Sequence, residues 1–317
     1  MKKLSLALAL CTPLGAAASC GSAFCMVDTQ WSMQGVNVTP GTRFDLHYEY
    51  INQNRVQNGR RRIGVGEIPR DHDEVQTVNR NFIGTLDHNF DASWGITATL
   101  PIVRRTHFHL QNEDDGTQTP ENWKFTEVGD LRLLGRYQFS PTETQEHTLG
   151  QSGLLFGLKL PTGSFKVRNS DGERAERTLQ PGSGTTDALF GAFLRRALPL
   201  KDLSWFVQGL VQVPFTTRED YRPGRRINID AGMRYEATEK LGLLLQMNGL
   251  IKGRDGGAQA EAEDSGGRSL FLSPGVAYAL TKDLQVYSFL QLPLYQFVNG
   301  VQLVADRALV VGLSTRF

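Results

Sequence analysis

The chain has 317 residues, 40% hydrophobic and 21% charged, and its 34 Lys and Arg nearly cancel 33 Asp and Glu, for a formal charge of +1. That balance offers no polycationic face to a nucleic acid. Beyond the N-terminus no run of about 20 apolar residues could cross a bilayer as a helix. A mean hydropathy of −0.31 with 33 glycines, 17 Phe, 8 Tyr and 4 Trp is not the composition of a soluble α/β enzyme.

Lys2-Lys3, the apolar run Leu4 to Leu14 and Ala16-Ala17-Ala18 make a charged start, an apolar centre and a small-residue cleavage site, so residues 1–18 read as a secretory signal. The run is too short for a retained anchor helix. Removal takes away Lys2, Lys3 and Cys11. Residues 19–40 then form a periplasmic segment that carries Cys20 and Cys25. In an oxidising compartment, Cys-Gly-Ser-Ala-Phe-Cys predicts a small disulfide loop. Lipidation of Cys20, which follows Ala17-Ala18-Ser19, is the alternative; a thiolate metal site lacks a nearby histidine.

From Gly41 to Phe317 the chain alternates apolar and polar residues with a period of two, which predicts strands throughout. Phe44, Leu46, Tyr48 and Tyr50 share one face of the first. Phe82, Leu86 and Phe90, then Trp94, Ile96, Leu100 and Ile102, mark the second and third. Leu131, Leu133, Tyr137 and Phe139 mark the fourth. Stripes through Leu154–Leu160, Phe190–Leu194, Trp205–Phe215, Ile227–Tyr235, Leu243–Ile251, Leu270–Tyr278, Leu284–Leu294 and Leu309–Phe317 bring the number to twelve. Even numbers suit bacterial barrels that close on themselves.

Connections alternate in length. Asp91-Ala92-Ser93, Leu200 to Ser204, Thr238-Glu239-Lys240 and Thr281-Lys282-Asp283 are short. Arg55 to Glu74, Gln111 to Asn122, Thr162 to Thr185, Thr217 to Arg225 and Gly253 to Arg268 are long, as in membrane barrels with short periplasmic turns and long outer loops. Ser140 to Gln151 is long for a turn, and the loop at Asn299-Gly300 is short for an outer one. The expected fold is all-β: a closed antiparallel transmembrane β-barrel of about 12 strands over residues 41–317, in the outer membrane. An exported β-sandwich is the alternative.

With the apolar stripes facing lipid, the polar faces enclose a lumen. Its candidate lining is Arg43, Asp45, Glu49, Asp87, Asp130, Arg132, Arg136, Lys159, Asp187, Asp230, Arg234 and Glu236. Arg105 and Arg195 also point inward, and the balance of signs predicts weak ion selectivity. Aromatic residues near strand ends, Phe90, Trp94, Trp205, Phe215 and Tyr278 among them, suit the interfacial girdles.

The terminal Leu313-Ser314-Thr315-Arg316-Phe317 resembles the C-terminal signature of Gram-negative outer-membrane barrels, which implies the barrel-assembly machinery as a partner through Phe317. Val128-Gly129-Asp130-Leu131-Arg132, Gly157-Leu158-Lys159-Leu160-Pro161-Thr162-Gly163 and Leu179-Gln180-Pro181-Gly182-Ser183-Gly184-Thr185-Thr186-Asp187 resemble motifs of the outer-membrane transporter family labelled for the meta-pathway of phenol degradation. The likeness is strongest from Phe125 to Phe193. It implies a small channel whose solutes include hydrophobic or aromatic compounds.

The six histidines form no His-x-Ser pair or Gly-x-Ser-x-Gly elbow, so an enzyme is not expected. No cofactor is expected. His107 and His109 share a strand face and are weak metal candidates with Asp71-His72-Asp73-Glu74, which reads as part of an opposing loop; a solvated pair is the plainer reading. Arg60-Arg61-Arg62 and Arg70 face lipopolysaccharide phosphates or solvent. The sequence therefore predicts passive passage of small solutes through a narrow twelve-stranded lumen. A structural barrel that docks a periplasmic partner through residues 19–40 is the alternative, and an outer-membrane hydrolase a more distant one.

Overall fold

The computed structural model describes residues 40–139, 142–143, 149–198 and 202–317. The signal segment, Cys20, Cys25, His147 and much of Ser140 to Gln151 lie outside the described residues. The strands are β1 (Gly41–Gly59), β2 (Arg61–Arg62), β3 (His72–Asn89), β4 (Trp94–Asn112), β5 (Gln118–Val128), β6 (Leu131–Gln138), β7 (Thr142–Glu143), β8 (Leu149–Leu160), β9 (Asp187–Ala197), β10 (Leu203–Pro214), β11 (Arg226–Glu236), β12 (Leu241–Lys252), β13 (Gly267–Ala279) and β14 (Leu284–Arg316). Every pairing is antiparallel, and β14 against β1 joins the last stave to the first, from Arg43↔Arg316 onward.

A ring in which every neighbour is antiparallel needs an even number of staves. β14, at 33 residues, supplies two of them. Up to Val298 it pairs with β13, and from Val301 on it pairs with β1. The reversal is at Asn299-Gly300, where Gly300 has φ 56°, a conformation glycine takes without strain. The two arms meet each other: the Arg316 N–H donates to the Asp283 carbonyl at 2.9 Å and the Gln296 amide to the Ala305 carbonyl at 3.1 Å. β5 and β6 both pair with β4 and form one stave broken at Gly129-Asp130. Counted so, the described residues make a closed barrel of twelve staves.

Four staves overrun the loops expected from the sequence. β1 reaches Gly59 and β3 begins at His72, inside the expected Arg55 to Glu74 loop. β4 and β5 leave only residues 113–117 of the expected Gln111 to Asn122 loop. Crossing the membrane takes about 9–11 residues, while β1 and β4 each have 19. Above the hydrocarbon a ladder persists without an apolar stripe, so periodicity fades before the strand ends. The outward positions record that boundary: exposed Phe82, Ile102 and Val128 give way to Arg80, Arg104 and Lys124.

At the other rim, short side chains cap the reversals. Asp91 accepts from the N–H groups of Ser93 and Trp94, both at 2.7 Å. Thr238 and Thr281 hold the turns before Leu241 and Leu284 in the same way.

Along β12, Leu243, Leu245 and Met247 are exposed, whereas Gln246 and Asn248 are 0% exposed. The charged stripe does face inward, but the interior is not wholly polar. Phe206, Phe271, Tyr287 and Phe289 are buried there, and the Phe289 ring covers Gly275 so closely that a Cβ would lie 2.3 Å from it. Leu245→Arg places a charge on the lipid face near midstrand and should lower unfolding stability by about 2–4 kcal/mol in lipid. Denaturant titration of the reconstituted barrel measures it.

Candidate functional site: a loop anchored inside the barrel

The connection from β8 to β9, residues 161–186, does not stand out in solvent. Leu179 and Thr185 are 0% exposed. Ala175 and Leu179 pack with Val103, Trp123, Phe125, Val301 and Leu303. Burying these apolar groups favours an inward course, and polar contacts fix it. The Trp123 indole donates to the Glu173 carbonyl at 3.1 Å. The Arg105 guanidinium donates to Asn79 Oδ1 at 2.6 Å and also reaches the Leu179 carbonyl.

The root of the loop is a buried ion network. Asp130, at the β5–β6 break, accepts from the Gly163 N–H at 3.1 Å through Oδ1, and from the Ser183 N–H at 3.0 Å and Lys159 Nζ at 2.8 Å through Oδ2. Lys159 lies 3.4 Å from Asp187 and donates to the Thr185 carbonyl at 2.9 Å. Asp187 accepts from Thr185 Oγ1 at 2.8 Å and from the Gln212 amide. Two carboxylates around one ammonium, with the remaining oxygens bonded, is the arrangement that makes buried charge tolerable.

Three glycines let the strands close on Asp130. A Cβ on Gly163 would lie 2.7 Å from Gly129 and 2.8 Å from Gly182, and one on Gly182 would lie 2.7 Å from Asp130 Oδ1. No side chain fits among them. The Gly129-Asp130, Lys159 to Gly163 and Pro181 to Asp187 motifs, distant in sequence, thus meet at one point.

The loop is also tied to the β10–β11 connection. Glu219 and Asp220 both have φ 51°, strained for these residues. That turn presents Glu219 to Lys166 at 2.6 Å and Arg174 at 2.9 Å. Hydrogen bonds from Lys166 and then Arg174 hold its pKa down at about 2.

Below the loop a cavity of about 290 Å³ remains against the wall. Glu49, Asp130, Arg132, Lys159 and Asp187 from the expected lining border it, with Arg105, Arg177, Arg226 and Lys252. The charged residues that border this one cavity are therefore six cations and three carboxylates. Arg43, Arg234 and Glu236 border a second cavity of about 440 Å³ at the opposite, turn-bearing rim, with Arg316. Asp45, Asp87, Arg136 and Asp230 pack inside the wall. Asp45 accepts from Tyr287 at 2.8 Å and contacts His47 at 3.0 Å; Asp87 accepts from Thr97 at 2.7 Å. Arg136 donates to Asn89, and Asp230 accepts from Asn248 at 2.8 Å.

His107 and His109 are not solvated; they are 0% and 4% exposed. His72 and Glu74 belong to β3 rather than to a loop. Sequence reasoning missed Arg177, Arg226, Lys252 and Glu176. The available signal was Ala175 and Leu179, apolar residues within a connection that would otherwise be outside.

Lys159→Met leaves Asp130 and Asp187 without their cation and should destabilise the barrel by about 3–5 kcal/mol. The Asp130→Asn, Lys159→Met pair should cost less than the sum of the single changes. Trypsin should cut faster after Lys166 to Arg177 in both variants, as the loop loosens. For Glu219, folding lowers the pKa, so its pairing contributes fully above the ordinary value near 4.5 and is lost as pH falls through about 2. Carboxyl NMR should find it ionised at about pH 3.5 in the wild type, and titrating near the ordinary carboxylate range in a Lys166→Ala, Arg174→Ala variant.

Comparison with known proteins places this geometry. None of the curated proteins matches the sequence significantly. A crystal structure of an outer membrane channel from Pseudomonas putida F1 superposes with a TM-score of 0.65 at 13% identity, covering 92% of this chain and 100% of that one. A NanC porin structure gives 0.46 at 9% identity, covering 86% and 100%. The translocator domain of the autotransporter NalP from Neisseria meningitidis gives 0.45 at 12%, covering 89% and 90%. The first of these carries the fold, that of an outer-membrane β-barrel. The family described as "Putative MetA-pathway of phenol degradation" matches residues 74–294, a span that takes in the loop, its three glycines and the Asp130–Lys159–Asp187 network. With most of its length inside that match, the chain belongs to this family of outer-membrane barrels.

Proposed function

We propose that the protein is a passive channel for small solutes, with a preference for organic anions. The observation that carries this reading is the cavity beneath the inserted loop, whose lining has a formal excess of three positive charges. At about 290 Å³ it lies at the lower end of the roughly 300–1,000 Å³ typical of small-molecule sites. A lining of one dominant sign selects against like-charged ions. Arg105 donates there to the Asn79 side-chain oxygen and the Leu179 carbonyl. Lys252, by contrast, is matched by Asp255 at 2.7 Å.

The family label and the cationic lining together favour aromatic carboxylates over neutral hydrocarbons, which gain nothing from buried guanidinium groups. The cavity at the turn-bearing rim is nearly balanced, with Arg43, Arg234, Lys282 and Arg316 against Asp202, Glu236 and Asp283, so the preference rests on the cavity beneath the loop.

Planar-bilayer recordings under a salt gradient should give a reversal potential on the anion side. Arg132→Gln with Arg226→Gln should move it towards zero without abolishing conductance. In liposome swelling, benzoate should enter faster than a neutral sugar of similar size. Absence of conductance, or a cation preference, would overturn the proposal.

A further inference from the structure

Above the lipid belt, three imidazoles and three carboxylates converge where the inserted loop meets the extended wall. His72 begins β3, His107 and His109 are on β4, and Glu121 is on β5. Glu176 comes from the β8–β9 loop. Nε2 of His72 lies 3.2 Å from Glu176 Oε1 and 3.5 Å from Glu74 Oε1. The rings of His72 and His109 stack with centroids 4.4 Å apart. One donor atom each from His72, His109 and Glu176 falls within 4.8 Å of the others.

The surroundings have the character of a ligand site. Glu74 is 2% exposed, and neither of its oxygens, nor either of Glu176, has a hydrogen bond of good geometry. Their near neighbours are imidazole nitrogens, including His107 Nε2 at 3.8 Å from Glu74. Two buried carboxylates in this setting call for positive charge. His107 positions rather than ligates: its Nδ1 is 2.8 Å from Thr77 Oγ1 and its Nε2 is 3.2 Å from His109 Nδ1. This relay orients His109 and leaves its Nε2 facing Glu121 at 3.1 Å.

We propose that His72, His109 and Glu176 bind a divalent late-transition-metal ion of the zinc type, which latches the inserted loop to the β3–β4 wall. Neutral imidazoles and one carboxylate form the donor set of three-ligand zinc sites, with a fourth position left for water or Glu121. Glu176 and Glu74 together match the charge of a divalent ion. Tetrahedral bonds of about 2.0–2.1 Å set donors roughly 3.3 Å apart, so the three groups, now within 4.8 Å of one another, close by up to about 1.5 Å on binding. Glu176 is the only one of the three on the loop, which makes ion binding and loop position one equilibrium.

The test is calorimetry of the full chain in detergent, stripped with a chelator and titrated with zinc chloride. Wild type should show one site that disappears in His72→Ala, His109→Ala. Glu176→Gln should weaken that site by at least about tenfold and cancel the zinc-dependent slowing of tryptic cleavage in the loop. His88→Ala, away from the cluster, should bind as wild type does. Heat-modified electrophoretic mobility reports barrel integrity for each protein. A flat wild-type titration, or a site that survives the double replacement in a folded barrel, would overturn the proposal. Neither outcome bears on solute conductance, so the channel reading stands or falls separately.

Discussion

In hydrocarbon, each backbone N–H or C=O without a partner costs several kcal/mol, and this one constraint accounts for most of the wall. A sheet with two free edges could not remain in the membrane; β14 against β1 removes both. The same constraint makes the turn at Asn299-Gly300 indispensable, since only a reversal within β14 keeps all neighbours antiparallel around the ring. It also explains why irregular backbone appears where it does. The break at Gly129-Asp130 has its backbone groups answered from the loop and from β4, as the Ser164 N–H donates to the Val128 carbonyl at 3.2 Å and the Gly129 N–H to the β4 Pro101 carbonyl at 2.8 Å.

The interior is under a different rule. Water or protein can satisfy a group there, so sequence is freer, and the chain uses that freedom to divide the lumen. Rings of Phe206, Phe271 and Phe289 fill part of it, the ion network around Lys159 fastens the loop, and the cavity beneath the loop has more cations than carboxylates in its lining. Anchor and cavity share residues: Asp130, Lys159 and Asp187 both hold the loop root and border the cavity. A solute-facing charge in this barrel is therefore also a structural charge.

The lipid-facing stripe was legible in the sequence because one chemical demand repeats every second residue across the belt. Leu243, Leu245 and Met247 on β12, or Trp94, Ile96 and Leu100 on β4, announce both strand and facing. Above the belt that demand ends, and His72 to Glu74 of β3 and Gln111 and Asn112 of β4 were read as loop although their ladders continue. The motifs around Gly129, Gly163 and Gly182 were visible as motifs, yet their meeting was not, because a close approach between three backbones has no periodic signature. The cluster at His72 was half legible. His107 and His109 share a face by strand geometry alone, but Glu176 joins them through a loop path that no local rule encodes.

That path follows from where the apolar residues of the loop can go. Ala175 and Leu179 would lose burial if the connection stood in solvent. The lipid is closed to them, because the backbone they bring lacks a ladder and includes charged Glu173, Arg174, Glu176 and Arg177. The extended upper staves offer an apolar surface, the patch of Val103, Trp123, Phe125 and Leu303, against which the loop packs. Seating Leu179 on it carries Glu176 to His72 and Arg177 to the cavity margin. The cationic lining and the histidine cluster are thus two consequences of a single burial event, and neither requires an additional element of the fold.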